Sequence, residues 1–95
     1  MAVKLLTPQQ NLGLRIKELR ARQSVTQEEL AERCGMFRTY VSRIESGLAN
    51  PTLTVLHALA AGLNVELTEL LQAPLNHRPA KVRSVQPLSR GRAGR

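Results

Sequence analysis

Apolar residues fall into a helical rhythm four times before residue 72, and nowhere do they alternate with polar ones in the period of two that marks a half-buried strand. Leu12, Ile16 and Leu19 stand at i, i+4 and i+7, with Arg15, Lys17, Glu18 and Arg22 spread around the rest of the circumference. That pattern predicts an amphipathic helix from about Gln9 to Gln23, ending near Ser24. Thr26 and Glu29 have the spacing of a capping box and open a second helix, which carries Leu30, Ala31 and Cys34 and stops at Gly35. A third short helix, from about Arg38 to Ser46, turns Val41 and Ile44 inward and is closed by Gly47 and the Asn50-Pro51 step. Thr52 can cap a fourth helix with the stripe Leu53, Leu56, Leu59, Ala60 and Leu63, and Asn64 suits its left-handed closing position. Leu67, Leu70 and Leu71 add a final turn or two before Pro74. The expected fold class is therefore all-α: a compact five-helix domain over residues 9–73, a flexible arm at 1–8 and a tail at 74–95.

Charge sharpens this division. The 95 residues carry a formal charge of +7, yet residues 1–75 hold eight Lys or Arg against seven Glu, while residues 76–95 hold six and no acid. The basic tail has too few aliphatic residues to offset chain entropy and is expected to be disordered. Such a segment either serves as a solubilising terminus or is drawn to polyanions through release of condensed counterions. No apolar run approaches the ~18 residues of a membrane span, and the first ten residues lack the apolar core of a secretory signal. The single cysteine cannot form an internal disulfide, which fits a reducing cytosol.

The second and third helices carry the functional signal. Counting Gln27 as position one, Ala31 is fifth, Gly35 ninth, Val41 fifteenth and Ile44 eighteenth, which is the register of a helix-turn-helix. A side chain larger than that of Ala31 would push the helices apart, and Gly35 permits the positive φ that turns the chain between them. With Val41 and Ile44 inward, Arg38, Thr39, Ser42 and Arg43 share the outward face.

Through R-I-K-E-L-R, T-Q-E-E-L-A-E-R-C-G, R-T-Y-V-S-R-I-E-S-G and N-P-T-L-T-V-L, the chain resembles the Xre/Cro/CI family of bacterial and phage DNA-binding proteins, with a lambda-repressor-like domain, from about Leu12 to Leu71. The resemblance implies that the third helix lies in the major groove of double-stranded DNA with Arg38, Thr39, Ser42 and Arg43 facing base edges. Either arginine suits guanine O6 and N7, and Thr39 can offer its methyl to thymine or its hydroxyl to a neighbour. The family places a phosphate contact at Gln27, where exposed amides and the helix dipole favour an anion. Thr26 can share that contact or act as a cap. Tyr40 and Ser46 are further phosphate candidates, Tyr40 alternatively packing at its ring, and the amides of Gly47, Leu48 and Ala49 are read as free donors. The matching Arg20 and Glu45 are expected to form an ion pair joining the first and third helices. Phe37 departs from the family pattern, because it cannot cap the third helix. It either packs beside Met36 or meets a thymine methyl. Ser24 stands where Gly is frequent, so a strained first bend is expected.

The resemblance implies a transcriptional regulator, a repressor acting as a homodimer on an inverted-repeat operator with half-sites about 34 Å apart. The leucines around and after Val65, including Leu63, Leu67, Leu70 and Leu71, exceed what one small core should hide and are read as the dimer contact. The alternative is an antitoxin or accessory interaction module whose DNA binding is secondary. No cofactor, metal or small-molecule ligand is expected, since His57 and His77 have no ligand set around them, and no catalytic constellation recurs. Deleting residues 76–95 should flatten the dependence of DNA affinity on salt by about 0.9 in log-log slope per phosphate contact removed. An unchanged slope in filter-binding titrations would mean that the tail does not touch DNA.

Overall fold

The computed structural model describes residues 5–75; residues 1–4 and the basic segment 76–95, with His77 and the expectations placed on the tail, lie outside the described residues. The described residues form five helices and no strand: α1 (Pro8–Gln23), α2 (Gln27–Cys34), α3 (Arg38–Glu45), α4 (Leu53–Gly62) and α5 (Leu67–Leu70). α1 begins slightly before the apolar rhythm suggests, because Thr7 caps it. The Thr7 hydroxyl accepts from the Gln10 amide at 3.0 Å, the Gln10 side chain accepts from the Thr7 amide at 3.0 Å, and Pro8 follows at the first helical position. Thr26 and Glu29 make the same reciprocal pair at α2, at 2.9 and 3.0 Å. At α3 the cap position is Phe37, which supplies no side-chain bond.

Four described residues with positive φ, Ser24, Gly35, Gly47 and Asn64, bend the path. Ser24 follows α1 at φ 57°, so a β-carbon-bearing residue carries this conformation, and Asn64 follows α4 at φ 54°. Gly35 lies between α2 and α3 at φ 68°, and nothing lies within 4 Å of where its Cβ would stand. Its requirement for glycine is therefore conformational and not steric.

α1 packs on α3 and α5, α2 on α3 and α4, and α4 on α5. Ile16, Leu30, Val41, Ile44, Leu59, Leu63 and Leu70 fill the centre, each no more than 1% exposed. Burying each such side chain contributes about 1.5 to 3 kcal/mol. This corrects the assignment of Leu63 and Leu70 to a dimer contact. The single turn of α5 folds back on α1 and α4, so Leu70 closes one end of the core and Leu63 stays within it. Of that set, Val65 and Leu67 are half-buried and Leu71 is exposed.

Arg15 corrects a second expectation, since it belongs to the interior and not to a solvated face. It is 2% exposed, and its Nε donates to the Glu69 carbonyl at 2.8 Å, Nη1 to Glu18 at 2.6 Å and Nη2 to the Gln72 side chain at 3.4 Å. Asn11 and Glu18 flank it on the same face of α1, bonding the Gln72 carbonyl at 3.1 Å and the Leu75 amide at 2.9 Å. These three side chains fasten the end of the domain to α1. Burial alone would raise the Glu18 carboxyl, but bonds from Arg15 and the Leu75 amide, with the charges of Arg15 and Arg22, hold it below the ordinary glutamate range.

A different face of α1 meets α3. Gly13 lies against the last turn of α3, where a Cβ would strike the Glu45 carbonyl oxygen and stand 2.7 Å from that of Ile44. Two turns further along α1, Arg20 grips the Glu45 side chain, Nε to Oε2 at 2.6 Å and Nη2 to Oε1 at 2.8 Å, while Nη1 donates to the Val25 carbonyl at 2.9 Å. The Glu45 side chain is 0% exposed and that of Arg20 is 19% exposed. Hydrogen bonding to Glu45 raises the Arg20 pKa above its ordinary value, so the guanidinium stays charged.

Two sets of substitutions test this junction. Gly13→Ala should lower the thermal midpoint, because a clash costing about 1 to 3 kcal/mol outweighs a helix-propensity gain of at most about 1 kcal/mol; a raised midpoint would mean that α1 and α3 separate freely. Arg20→Ala strands a buried carboxylate and should cost about 3 to 5 kcal/mol, whereas Glu45→Ala leaves an arginine that can reach water and should cost less. Equal midpoints for wild type and both variants would rule out a buried bridge.

Candidate nucleic-acid interface

The surface opposite that junction is built by α2 and α3. Ala31 and Leu30 of α2, 3% and 0% exposed, pack against Val41 and Ile44, and this fixes how the outer side of α3 faces solvent. Arg38, Thr39 and Arg43 are exposed and Ser42 is half-buried, so none of the four is lost to the core. Arg38 and Thr39 stand in the first turn of α3. A cation there opposes the positive end of the helix dipole, and no side-chain cap offsets it. Local stability does not favour an arginine at this place; an external electronegative group does.

Among the described residues Arg38 has one hydrogen-bond partner: its Nη1 donates to Gln27 Oε1 at 3.1 Å. Gln27, the first residue of α2, in turn donates from Nε2 to Glu45 Oε1 at 2.9 Å. A line of polar groups thus runs from the surface through Gln27 to the buried pair of Glu45 and Arg20. The family resemblance implies only a phosphate contact for Gln27, and its links to Arg38 and Glu45 arise from the packing of α2 against α3. A polar residue at the start of one helix, opposite another at the start of the next, is the faint signal that marked it.

The other candidates divide by what their donors already do. The Thr26 hydroxyl accepts from the Glu29 amide at 3.0 Å, which leaves its O–H proton for an outside acceptor. The Ser46 hydroxyl turns back and donates to the Ser42 carbonyl at 2.9 Å, just beyond the last residue of α3. Tyr40 is half-buried and its ring packs against the core. Arg43 reaches the loop and donates from Nη2 to the Leu48 carbonyl at 3.1 Å. The amides of Gly47 and Leu48 are not free donors, as had been expected, because they bond the carbonyls of Ile44 at 3.1 Å and Arg43 at 2.9 Å. A glycine-closed helix end satisfies its own last carbonyls in this way. Gly47 also sits close to α1, with its missing Cβ 3.1 Å from Gln10 Cγ.

Phe37 does not pack beside Met36. It is 81% exposed at the entrance to α3, while Met36 turns to the core. Cys34, half-buried, donates weakly to the Ala58 carbonyl at 3.3 Å, and burial pushes its thiol pKa up, which makes it a poor nucleophile. Among the described residues no three His, Cys, Asp or Glu side chains gather to hold a metal, and no helix is long and apolar enough to cross a membrane.

The chain is 35% identical over 60 residues to the immunity repressor protein of Bacillus phage phi105, a match that takes in 63% of this chain and 42% of that one, so the chain spans less than half of that relative. Its fold superposes with a TM-score of 0.64 on the restriction-modification controller protein C.AhdI from Aeromonas hydrophila, at 37% identity, covering 65% of this chain and 94% of that one. The hypothetical transcription factor NHTF from Neisseria superposes with a TM-score of 0.69, at 30% identity, covering 79% and 92%. The helix-turn-helix family HTH_3 matches residues 16–70, the stretch that contains the α2–α3 pair and its supports. By that match and this fold, the chain belongs to the HTH_3 family, the Xre/Cro/CI type of DNA-binding, non-enzymatic transcriptional regulators.

Proposed function

We propose that this chain represses transcription by binding an inverted-repeat operator as a homodimer, with α3 in the major groove of each half-site. The observation that carries this reading is the unbalanced arginine at the start of α3, held outward beside Thr39 on a helix whose other side is locked into the core. Arg38, Thr39, Ser42 and Arg43 face the bases. The Thr26 hydroxyl and the start of α2, with the second Nε2 proton of Gln27, meet a phosphate. Tyr40 and the Ala49 amide, which has no partner among the described residues, lie at the margins of that track. Ser46 and Gly47 contribute less, because their donors are already engaged.

The repressor and controller names of the similar phage and restriction-modification proteins support the regulatory role. Support for a dimer comes from the apolar surface left over after folding. Leu71 is 47% exposed and borders a shallow groove with Pro8, Leu12, Pro51 and Leu56, while Leu53 of α4 is 62% exposed. Covering such a surface by a second copy would place the two α3 helices under one twofold axis.

Selection of bound sites from random-sequence duplexes tests the reading. The folded chain should enrich an inverted repeat whose half-site centres are about 34 Å apart. Arg38→Ala and Arg43→Ala should each cost about 1 to 3 kcal/mol on the enriched site while melting like wild type. A folded chain that enriches no motif would overturn the proposal, and a single unpaired half-site would overturn its dimeric part.

A further inference from the structure

We infer that Phe37 makes DNA binding by this chain responsive to methylation: its ring packs on the C5-methyl of the pyrimidine next to the guanine met by Arg38, which favours thymine or 5-methylcytosine there over a pyrimidine without the methyl. The inference rests on the reading that α3 enters the major groove. It begins with a local anomaly. The residue before a helix ordinarily lends a side-chain oxygen to an amide of the first turn, and Thr7, Thr26 and Thr52 do this for α1, α2 and α4. At α3 that place holds Phe37, which makes no side-chain bond and is 81% exposed. Met36 beside it packs on the core and Phe37 does not. The position thus forgoes a cap and leaves a phenyl ring in water, so nothing among the described residues accounts for an aromatic side chain there.

What lies next to the ring decides what can cover it. Arg38 and Thr39 follow at once and are exposed, so ring and guanidinium leave the domain at the same end of α3, the end that meets base edges. The apolar group that unmodified base pairs present in the major groove is the C5-methyl of thymine. Methylation of cytosine at C5 sets the same group at the same place on a G·C pair, whereas unmodified cytosine offers its polar amino group and no methyl. Consecutive Cα atoms are about 3.8 Å apart and stacked base pairs about 3.4 Å, so two neighbouring side chains can address two neighbouring pairs. A guanidinium suits guanine O6 and N7. Together Phe37 and Arg38 suit a step made of a C5-methylated pyrimidine and a guanine. Covering one methyl strengthens binding about fourfold.

The experiment uses the full chain and the duplex it enriches from random sequence. Each thymine of the half-site is replaced in turn by uracil, which removes only the methyl, and each cytosine by 5-methylcytosine, which adds it. Affinities are compared for wild type, Phe37→Leu and Phe37→Ser, and Arg38→Ala locates the guanine. At the pyrimidine beside that guanine, wild type should bind the methylated form about fourfold more tightly than the unmethylated one. Sensitivity to uracil there marks a thymine-guanine step and sensitivity to 5-methylcytosine a methylated cytosine-guanine step; either supports the inference. Phe37→Ser should bring the ratio to about one while melting no lower than wild type, because serine can cap α3. Phe37→Leu keeps an apolar side chain and should retain part of the ratio. If no pyrimidine beside that guanine shows a ratio that depends on Phe37, the ring does not read the step and the inference fails while the reading of α3 stands. If wild type enriches no motif, the reading of α3 fails and takes the inference with it.

Discussion

A carboxylate removed from water has to be answered by donors, and the arrangement of this small domain follows from how Glu45 is answered. Taking a charge out of solvent costs several kcal/mol even after relaxation, so the site persists only where paired hydrogen bonds meet it. Arg20 reaches it from α1 and Gln27 from α2, which brings three helices to one point at the end of α3. Replacing such a cluster by apolar side chains could leave stability unharmed, so net stability is a weak reason for its presence. Directional bonds do what an apolar contact cannot: they fix the rotation of α3 about its axis, and with it the direction in which the outer side chains point.

α1 is the hub of this arrangement, and each of its faces solves a different problem. Leu12, Ile16 and Leu19 close the core. Gly13 removes a side chain so that the backbones of α1 and α3 can approach, and Arg20 then spans to the carboxylate on the same side. Asn11, Arg15 and Glu18 hold the last described residues by their backbone groups, a polar seam where α5 is too short to supply an apolar one. An arginine stem covers apolar surface while its planar head meets several acceptors at once, which suits the buried place of Arg15.

The exposed side shows the opposite economy. Arg38 opposes the dipole of its own helix, Phe37 leaves that helix uncapped and lies open to solvent, and the amides after α3 turn inward to complete its last turn. Local rules are violated at the start of α3 and obeyed at its end. Departures from local consistency gather where a surface serves a partner, and here they gather around the residues whose chemistry suits a nucleic-acid duplex.

Much of this was legible in the residues themselves. Short-range physics determines the five helices, their Thr26 and Thr52 caps, the left-handed turns at Gly35 and Asn64 and the inward places of Val41 and Ile44, and all of these are written in the spacing along one segment. The outward set Arg38, Thr39, Ser42 and Arg43 followed from the same periodicity, and the pairing of Arg20 with Glu45 from resemblance to a family. What the spacing did not reveal depends on which segment lies opposite. Arg15 looked like a surface charge because two of its three acceptors lie more than fifty positions away, at Glu69 and Gln72. Leu63 and Leu70 looked surplus because one turn of helix gives no sign of where it folds back. Gln27 offered a phosphate contact but no sign that it donates to Glu45 and accepts from Arg38, since an amide has equal claims as donor and acceptor until its neighbours choose between them. Periodicity records which side of a helix is dry; only the packed chain decides which buried polar groups answer one another, because that depends on distances no single segment contains.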